Sequence, residues 1–229
     1  MIKFYHRWSS MAAQQVRLAL HYKSVEFISA PLTQDDDALW FDWGAARADL
    51  ALLIPGHPIQ TDALAILAEL DTQTSGAPIY QGIIDLEAWQ ALLTWRDANQ
   101  NILQRLYAPV LPAFIDIGAN ETDLAQYKTT VALAYGMSVE ALSNDRYDGY
   151  KQFAAQSHLT ELGSHLAKHK FYLNGRFSAC DIVLACDLFP LQLLDGVTLP
   201  IDLMYYIKRI EATCGGSLRD GLILTLKRK

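Results

Sequence analysis

The spacing of apolar and polar residues in the N-terminal third of the chain predicts short strands alternating with helices. Residues 3–5 form a strand-like run, and apolar residues three to four positions apart predict a helix over Met11–Tyr22. Residues 25–28 are typical of a second strand, and the apolar run 50–54 of a third. We interpret residues 31–49, between these strands, as a loop with a short helix.

A turn signal follows the third predicted strand. Residues 55–58 read Pro-Gly-His-Pro, and with the extended pair 59–60 they predict a hairpin. Thr61 and Asp62 then begin a helix that runs to Leu70, because a hydroxyl cap and an acid both suit the positive end of a helix. This order of elements predicts a small mixed sheet covered by helices.

The pattern changes after a polar stretch at 71–82, which contains glycine, serine and proline and predicts a linker. The following residues have only helical periodicity, so we expect an α-helical bundle. Thr122 and Asp123 are the expected cap of its second helix. The predicted helices span residues 85–107, 122–135, 147–168, 178–194 and 201–212.

Composition and charge narrow the class of protein. The chain of 229 residues is 51% hydrophobic and 19% charged, as in ordinary globular proteins, and no apolar run is long enough for a membrane helix. Its net charge is −6, and the basic residues are scattered except at 227–229, which argues against nucleic-acid binding. Because the N-terminus enters a strand without a leader-like segment, we expect a cytoplasmic protein.

Neither the cysteines nor the histidines form a metal or redox motif. The three cysteines are Cys180, Cys186 and Cys214. Because their number is odd and none of them forms a close pair, we predict that they are small core residues and not a disulfide framework. One helical face carries His158, Glu161, His165 and His169. We interpret this face as solvated and predict no metal site, since a further ligand is missing.

The candidate chemistry lies at the Ser9-Ser10 pair, where a polar loop meets the first helix. Unpaired N–H groups and the positive end of the helix dipole point at this position, so it suits a cap, an anion or a thiolate. Serine most often acts there only as the N-cap. A hydroxyl at this position also has the chemistry to donate a hydrogen bond to a bound thiolate, and the local sequence leaves both interpretations open.

Three stretches together resemble the glutathione transferase superfamily. In the first, Tyr5, Ser10, Val16 and Arg17 have the spacing of serine-type members. The second, QTDALAIL at 60–67, resembles the helix start that binds the γ-glutamyl end of glutathione. The third, FYLNGRFSACDI at 171–182, resembles the C-terminal signature. Ser178 and Asp181 within it also have the spacing of a capping box, which independently predicts a buried helix start.

The resemblance implies a thioredoxin-like domain at 1–72, a linker at 73–82 and an α-helical domain at 83–229. It also implies a homodimer that uses glutathione against a small apolar electrophile, as in detoxification. Ser10 is the favoured thiolate donor, with Ser9 and Tyr5 as alternatives, although Tyr5 is expected to pack in the core.

The sequence departs from the family at two glutathione-binding positions. Leu50 and Ala51 stand where the family has valine and a cis-proline, and Ala63 replaces a serine that holds the γ-glutamyl carboxylate. Asp62 remains to pair with the ammonium group. Two other functions therefore stay open: a binding or regulatory protein with little glutathione chemistry, and a glutathione-dependent isomerase or lyase.

Overall fold

The computed structural model of the chain describes residues 1–33, 36–44, 46–173 and 175–223. Asn174 of the C-terminal signature and the basic residues 227–229 lie outside this part. The sheet has the strand order β2-β1-β3, with β1 parallel to β2 and antiparallel to β3. Its strands are β1 (Ile2–His6), β2 (Phe27–Pro31) and β3 (Leu50–Leu53). The prediction of a small mixed sheet is confirmed.

The helices of this half are α1 (Met11–Tyr22), α2 (Asp37–Asp42) and α3 (Ala63–Gln73). The predicted bounds of α1 are confirmed. The predicted start of the second strand at residue 25 is wrong, because Val25 N–H still donates to Leu20 C=O at 3.0 Å in the turn after α1. The predicted start of α3 is also wrong: Asp62 is the N-cap, and the helix continues three residues beyond Leu70.

The predicted hairpin after β3 consists of one bridging pair. Leu52 and Gln60 exchange backbone hydrogen bonds of 2.8 and 3.2 Å, and the rest of the connection is turn. The hairpin is therefore confirmed in its pairing, but residues 59–60 do not form a full strand.

The described residues of the second half form eight further α-helices. They are α4 (Leu86–Tyr107), α5 (Ile115–Gly118), α6 (Glu121–Tyr135), α7 (Val139–Asn144), α8 (Arg146–Gln156), α9 (Leu159–Lys168), α10 (Ala179–Leu188) and α11 (Ile201–Cys214). The helical bundle is confirmed, but α5 and α7 were not predicted. Asn120, rather than Thr122, caps α6, because its side chain accepts the Asp123 N–H at 2.8 Å.

Two of the predicted long helices are shorter in the structure. The one predicted over 147–168 breaks at His158, whose φ is 51°, since the carbonyl of the preceding Ser157 accepts the indole N–H of Trp95 at 3.1 Å. The one predicted over 178–194 ends at Leu188. It continues as a 3₁₀ helix, Phe189–Leu193, in which Pro190 has no N–H to donate.

The core lies where α1 packs between the sheet and the second half. α1 contacts α3 on one side and α10 and α11 on the other. Every residue of α10 is buried, and the Asp181 carboxylate accepts the Ser178 N–H at 2.9 Å, so the predicted capping box is confirmed. None of the described helices combines the length and apolar character needed to cross a bilayer.

Candidate functional site

The loop between β1 and α1 carries Ser10 to the helix N-terminus. Arg7 N–H donates to Asp49 C=O at 2.9 Å, which ties this loop to the residue before β3. Ser10 is the N-cap of α1, and its Oγ accepts the N–H of Ala13 at 3.3 Å. The positive end of the α1 dipole therefore faces the Ser10 hydroxyl.

Ser9 and Ser10 line a cavity of about 350 Å³ between the start of α1 and the middle of α4. The cavity has polar and apolar walls, and a volume of this size accommodates a small organic molecule. Its other lining residues are Met11, Ala12, Asp49, Arg96, Asp97, Gln100, Leu103, Gln104, Tyr107 and Asp187.

The two serine hydroxyls make opposite kinds of hydrogen bond. Ser10 Oγ accepts from a backbone N–H, and within the described residues its own proton has no acceptor. Ser9 Oγ donates its proton to Asp116 Oδ2 at 2.7 Å, and Ser9 N–H donates to both oxygens of that carboxylate at 3.2 Å. Ser10 is therefore the serine whose proton is available to a ligand in the cavity.

An ion pair forms part of the cavity wall. Arg96 donates to Asp187 through Nε at 2.5 Å and Nη2 at 3.3 Å, and Gln15 of α1 donates to the same carboxylate at 3.2 Å. Tyr107 donates its hydroxyl proton to the Asp187 carbonyl. Burial, reinforced by the Asp187 charge, raises the pKa of the Tyr107 phenol well above its usual value. Tyr107 thus stays protonated and is not a base for a thiol.

Leu50 and Ala51 belong to the core, and the partly buried Tyr5 packs against it. Tyr5 packs against the Trp43 ring at a centroid distance of 4.9 Å and pairs with Ala51 across the sheet. Leu50 is 2% exposed, Ala51 is fully buried, and the peptide bond between them is trans. These positions support β3 and its packing, and none of the three lines the cavity in the described part of the chain.

Asp62 and Ala63 lie at the start of α3. The Asp62 carboxylate accepts the Ala65 N–H at 2.9 Å, and this carboxylate is exposed, so it retains acceptor capacity for a ligand. Ala63 is buried at 7% exposure. The structure thus brings together Ser9 and Ser10 in the cavity, whereas Asp62 and Ala63 lie outside its lining.

The three cysteines supply no reactive thiol. All are buried, and burial raises the pKa of Cys180 and of Cys214 to about 12 and that of Cys186 well above its usual value. A thiolate in the cavity must therefore come from a ligand.

The histidine face of α9 makes contacts within the protein. The ring of His165 contacts the tilted ring of His169 at a centroid distance of 4.6 Å, and its Nε2 donates to the Tyr172 carbonyl at 3.2 Å. His158 lies at the break before α9. These contacts account for the positions of the histidines by packing and helix geometry.

Sequence reasoning missed Asp116, Arg96 and Asp187. Asp116 meets Ser9 across 107 residues of sequence, and Arg96 meets Asp187 across 91. No local motif indicates these contacts, because the first depends on how α5 packs against the loop before α1 and the second on how α4 packs against α10.

The fold is similar to solved structures over nearly its whole length. Glutaredoxin 2 of Salmonella typhimurium in complex with glutathione matches with a TM-score of 0.76 and 18% identity, over 95% of this chain and 96% of that one. A glutathione S-transferase of Ceriporiopsis subvermispora in complex with glutathione matches with a TM-score of 0.69 and 16% identity, over 93% of this chain and 97% of that one. Maleylacetoacetate isomerase of Methylobacterium extorquens AM1, with malonate and glutathione bound, matches with a TM-score of 0.57 and 19% identity, over 93% of this chain and 94% of that one.

No family model matches the sequence, and comparison with curated proteins gives no match either. The solved structures fix the architecture, since they cover both the sheet and the helical half. The chain therefore has the glutathione transferase fold, a thioredoxin-like domain followed by an α-helical domain.

Proposed function

We propose that this protein is a glutathione transferase that joins the glutathione thiolate to a small apolar electrophile. The observation that carries this proposal is the Ser10 hydroxyl, which lines the cavity at the N-terminus of α1 and whose proton has no acceptor in the described part of the chain. A hydroxyl donor and the positive end of a helix both favour the charged form of a bound thiol and so lower its pKa. The glutathione complexes of similarly folded proteins support the choice of ligand.

The two ends of glutathione would then meet different elements. Domain 1–72 binds glutathione, with its cysteinyl part along the backbone at Leu50 and Ala51. The exposed Asp62 carboxylate pairs with the ammonium group, and the free N–H groups at the start of α3 receive the γ-glutamyl carboxylate in place of the serine that Ala63 replaces. The electrophile rests against domain 83–229.

Calorimetric titration with glutathione tests this proposal. We expect heat of binding with the wild-type protein and turnover of a small aryl halide, and the Ser10→Ala variant should bind glutathione but turn over at least tenfold more slowly. Glucose at the same concentration is the control for nonspecific heat. If millimolar glutathione gives neither heat nor a thermal shift, the proposal fails.

That negative result would favour a binding or regulatory protein with this fold. The observation in favour of it is the pair of alanines at 51 and 63, which removes two side chains that the family uses for glutathione. The structural similarity to an isomerase favours the second alternative, a glutathione-dependent isomerase or lyase. Such an enzyme needs the thiol but consumes no glutathione, so glutathione consumption during turnover separates it from a transferase.

We also propose a cytoplasmic homodimer. Light scattering coupled to size-exclusion chromatography tests the assembly, and a mass twice that of the chain is the expected result. Elution at the mass of one chain over the concentration range of the binding experiments would contradict it.

A further inference from the structure

Ser9 is the donor in its hydrogen bond with Asp116, and this direction suits the transfer of a proton from the cavity to Asp116. Ser9 lines the cavity, whereas Asp116, on α5, is not among the lining residues. The Ser9 hydroxyl donates to Asp116 Oδ2 at 2.7 Å, so the lone pairs of Ser9 Oγ remain free to accept a proton from the cavity side.

We propose that Ser9 and Asp116 form a proton relay that removes the thiol proton of glutathione, while Ser10 stabilises the thiolate that results. This inference rests on the proposed function, because the thiol is that of bound glutathione. The neighbouring serines then have complementary roles, since one accepts the proton of the neutral thiol and the other donates a hydrogen bond to the anion.

The step balances without another reactant. The thiol S–H bond breaks, its electron pair stays on sulfur, and the proton passes to Ser9 Oγ. The original hydroxyl proton of Ser9 moves at the same time to Asp116 Oδ2, so Ser9 remains a hydroxyl and Asp116 becomes a neutral acid. When the thiolate displaces a leaving group, Asp116 returns its proton to water. When the thiolate adds to an activated double bond, the same relay returns the proton to the carbanion.

The surroundings of Asp116 suit an acceptor of this kind. Burial raises the pKa of its carboxyl group, opposed by the hydrogen bonds from Ser9 and by the positive charge of Arg7. A raised carboxyl pKa lies closer to that of a thiol, and the transfer between them is correspondingly less unfavourable. Two bonds from Ser9 N–H also hold the carboxylate in place, so its geometry does not depend on the proton that moves.

Charged groups on the neighbouring elements also influence the protonation of Asp116. Arg7 faces Asp116 from the loop after β1. Helix α6, which packs against α5, has Glu121 and Asp123 in its first turn. The C-terminal segment is tied to α5 by the bond from Ile115 N–H to Gly221 C=O at 2.9 Å, and it also carries Arg219 and Asp220. None of these groups changes between the variants that test the relay.

The pH profile of kcat/KM tests the relay in Asp116→Asn, with the same full-length protein and a fixed aryl halide. Where the bound thiol is still protonated, the relay passes its proton to Asp116 during the attack without exchange with solvent. The wild-type profile should therefore be flat between the pKa of Asp116 and that of the bound thiol, and fall only where Asp116 becomes protonated. The amide in this variant retains an acceptor oxygen for Ser9 but does not take a proton. We therefore expect at least a tenfold loss at neutral pH and a profile that rises tenfold per pH unit.

Substitutions at Ser9 give an independent check if the Asp116 variant folds poorly. Ser9→Ala keeps the backbone bond to Asp116 but breaks the relay, so its profile should match that of Asp116→Asn, whereas Ser9→Thr should restore the flat wild-type profile. A profile parallel to the wild type in Ser9→Ala, or in a folded Asp116→Asn, would overturn the relay. A wild-type protein that does not bind glutathione would instead refute the proposed function.

Discussion

Arg17 Nη1 donates a hydrogen bond of 3.0 Å to Asp220 Oδ2, and this contact joins α1 to the C-terminal turn across 203 residues of sequence. Arg17 Nε also donates to Gln14 Oε1 at 2.8 Å, and Gln14 Nε2 donates to the Trp8 carbonyl at 2.7 Å. The turn itself packs on Trp8, because a Cβ at Gly221 would lie 2.5 Å from the indole ring. These contacts fix the loop that precedes Ser10.

The first prediction concerns this link. Asp220→Asn removes the counter-charge hydrogen-bonded to Arg17, whose side chain is 3% exposed, so the cation keeps only neutral hydrogen-bond partners and the charge of Glu211. Because Asp220 is itself 42% exposed, we expect a loss of about 1–2 kcal/mol in the free energy of unfolding, measured with urea. Glu140→Gln breaks the exposed pair with Lys128 and should leave stability unchanged. Equal losses in the two variants would contradict the role of the link.

The second prediction concerns the pH dependence of stability through His6. This imidazole is 1% exposed and forms a 2.7 Å hydrogen bond with Ser29 Oγ. Burial, followed by the charge of Arg17, lowers the pKa of His6 from 6.5 to about 4. The unfolded state therefore binds more protons than the folded state between these values. Stability is complete above pH 6.5 and falls by up to about 3 kcal/mol as the pH approaches 4.

Urea unfolding across this pH range, compared between wild type and His6→Gln, isolates the contribution of His6 because the other titrating groups are shared. The variant should show a smaller loss of stability towards acid pH. NMR titration of the His6 ring should give a midpoint near 4. A midpoint near the ordinary histidine value would contradict the burial argument.

The third prediction concerns Asp181 at the start of α10. Its carboxylate accepts the N–H groups of Tyr172 at 2.7 Å and Ser178 at 2.9 Å and the hydroxyl of Tyr206 at 2.9 Å. Asp181→Ala leaves these donors without that acceptor, so we expect a loss of at least about 3 kcal/mol in the free energy of unfolding. Asp148→Ala, at an exposed position in the first turn of α8, is the matched control and should have little effect.

The fourth prediction concerns the electrophile end of the cavity. Gln104 is an exposed residue of α4 that lines the cavity, so Gln104→Trp should fill part of the volume without disturbing the core. We expect the KM for a bulky electrophile to rise at least tenfold, whereas the Kd of glutathione from calorimetry should stay within twofold. Gln90→Trp on the same helix lies outside the cavity lining and serves as the control. An unchanged KM would mean that the electrophile binds elsewhere.

The sequence predicts those parts of the fold that depend on local patterns. The bounds of α1 follow from its apolar periodicity, and the start of α10 follows from the spacing of Ser178 and Asp181, because both signals lie within a few residues. The break before α9 is different. Trp95, 62 residues away, takes the carbonyl of Ser157, and no pattern in residues 147–168 contains that information.

In the candidate site, too, some features follow from the local sequence and others depend on packing between distant segments. The start of α1 is a local feature, so the sequence alone indicates that Ser9 and Ser10 lie at a helix N-terminus. Their difference in hydrogen bonding arises from Asp116, which only the packing of α5 brings to Ser9. The roles of Leu50, Ala51, Asp62 and Ala63 stay predictions, because they depend on a bound ligand.

The ionisation of bound glutathione tests the central claim most directly. Ultraviolet difference absorbance of the thiolate, measured against pH at saturating glutathione, gives the pKa of the bound thiol in wild type and in Ser10→Ala. We expect a wild-type pKa at least one unit below that of free glutathione and a pKa in the variant that returns towards the free value. Equal pKa values in the two proteins would contradict the claim that the Ser10 hydroxyl stabilises the thiolate.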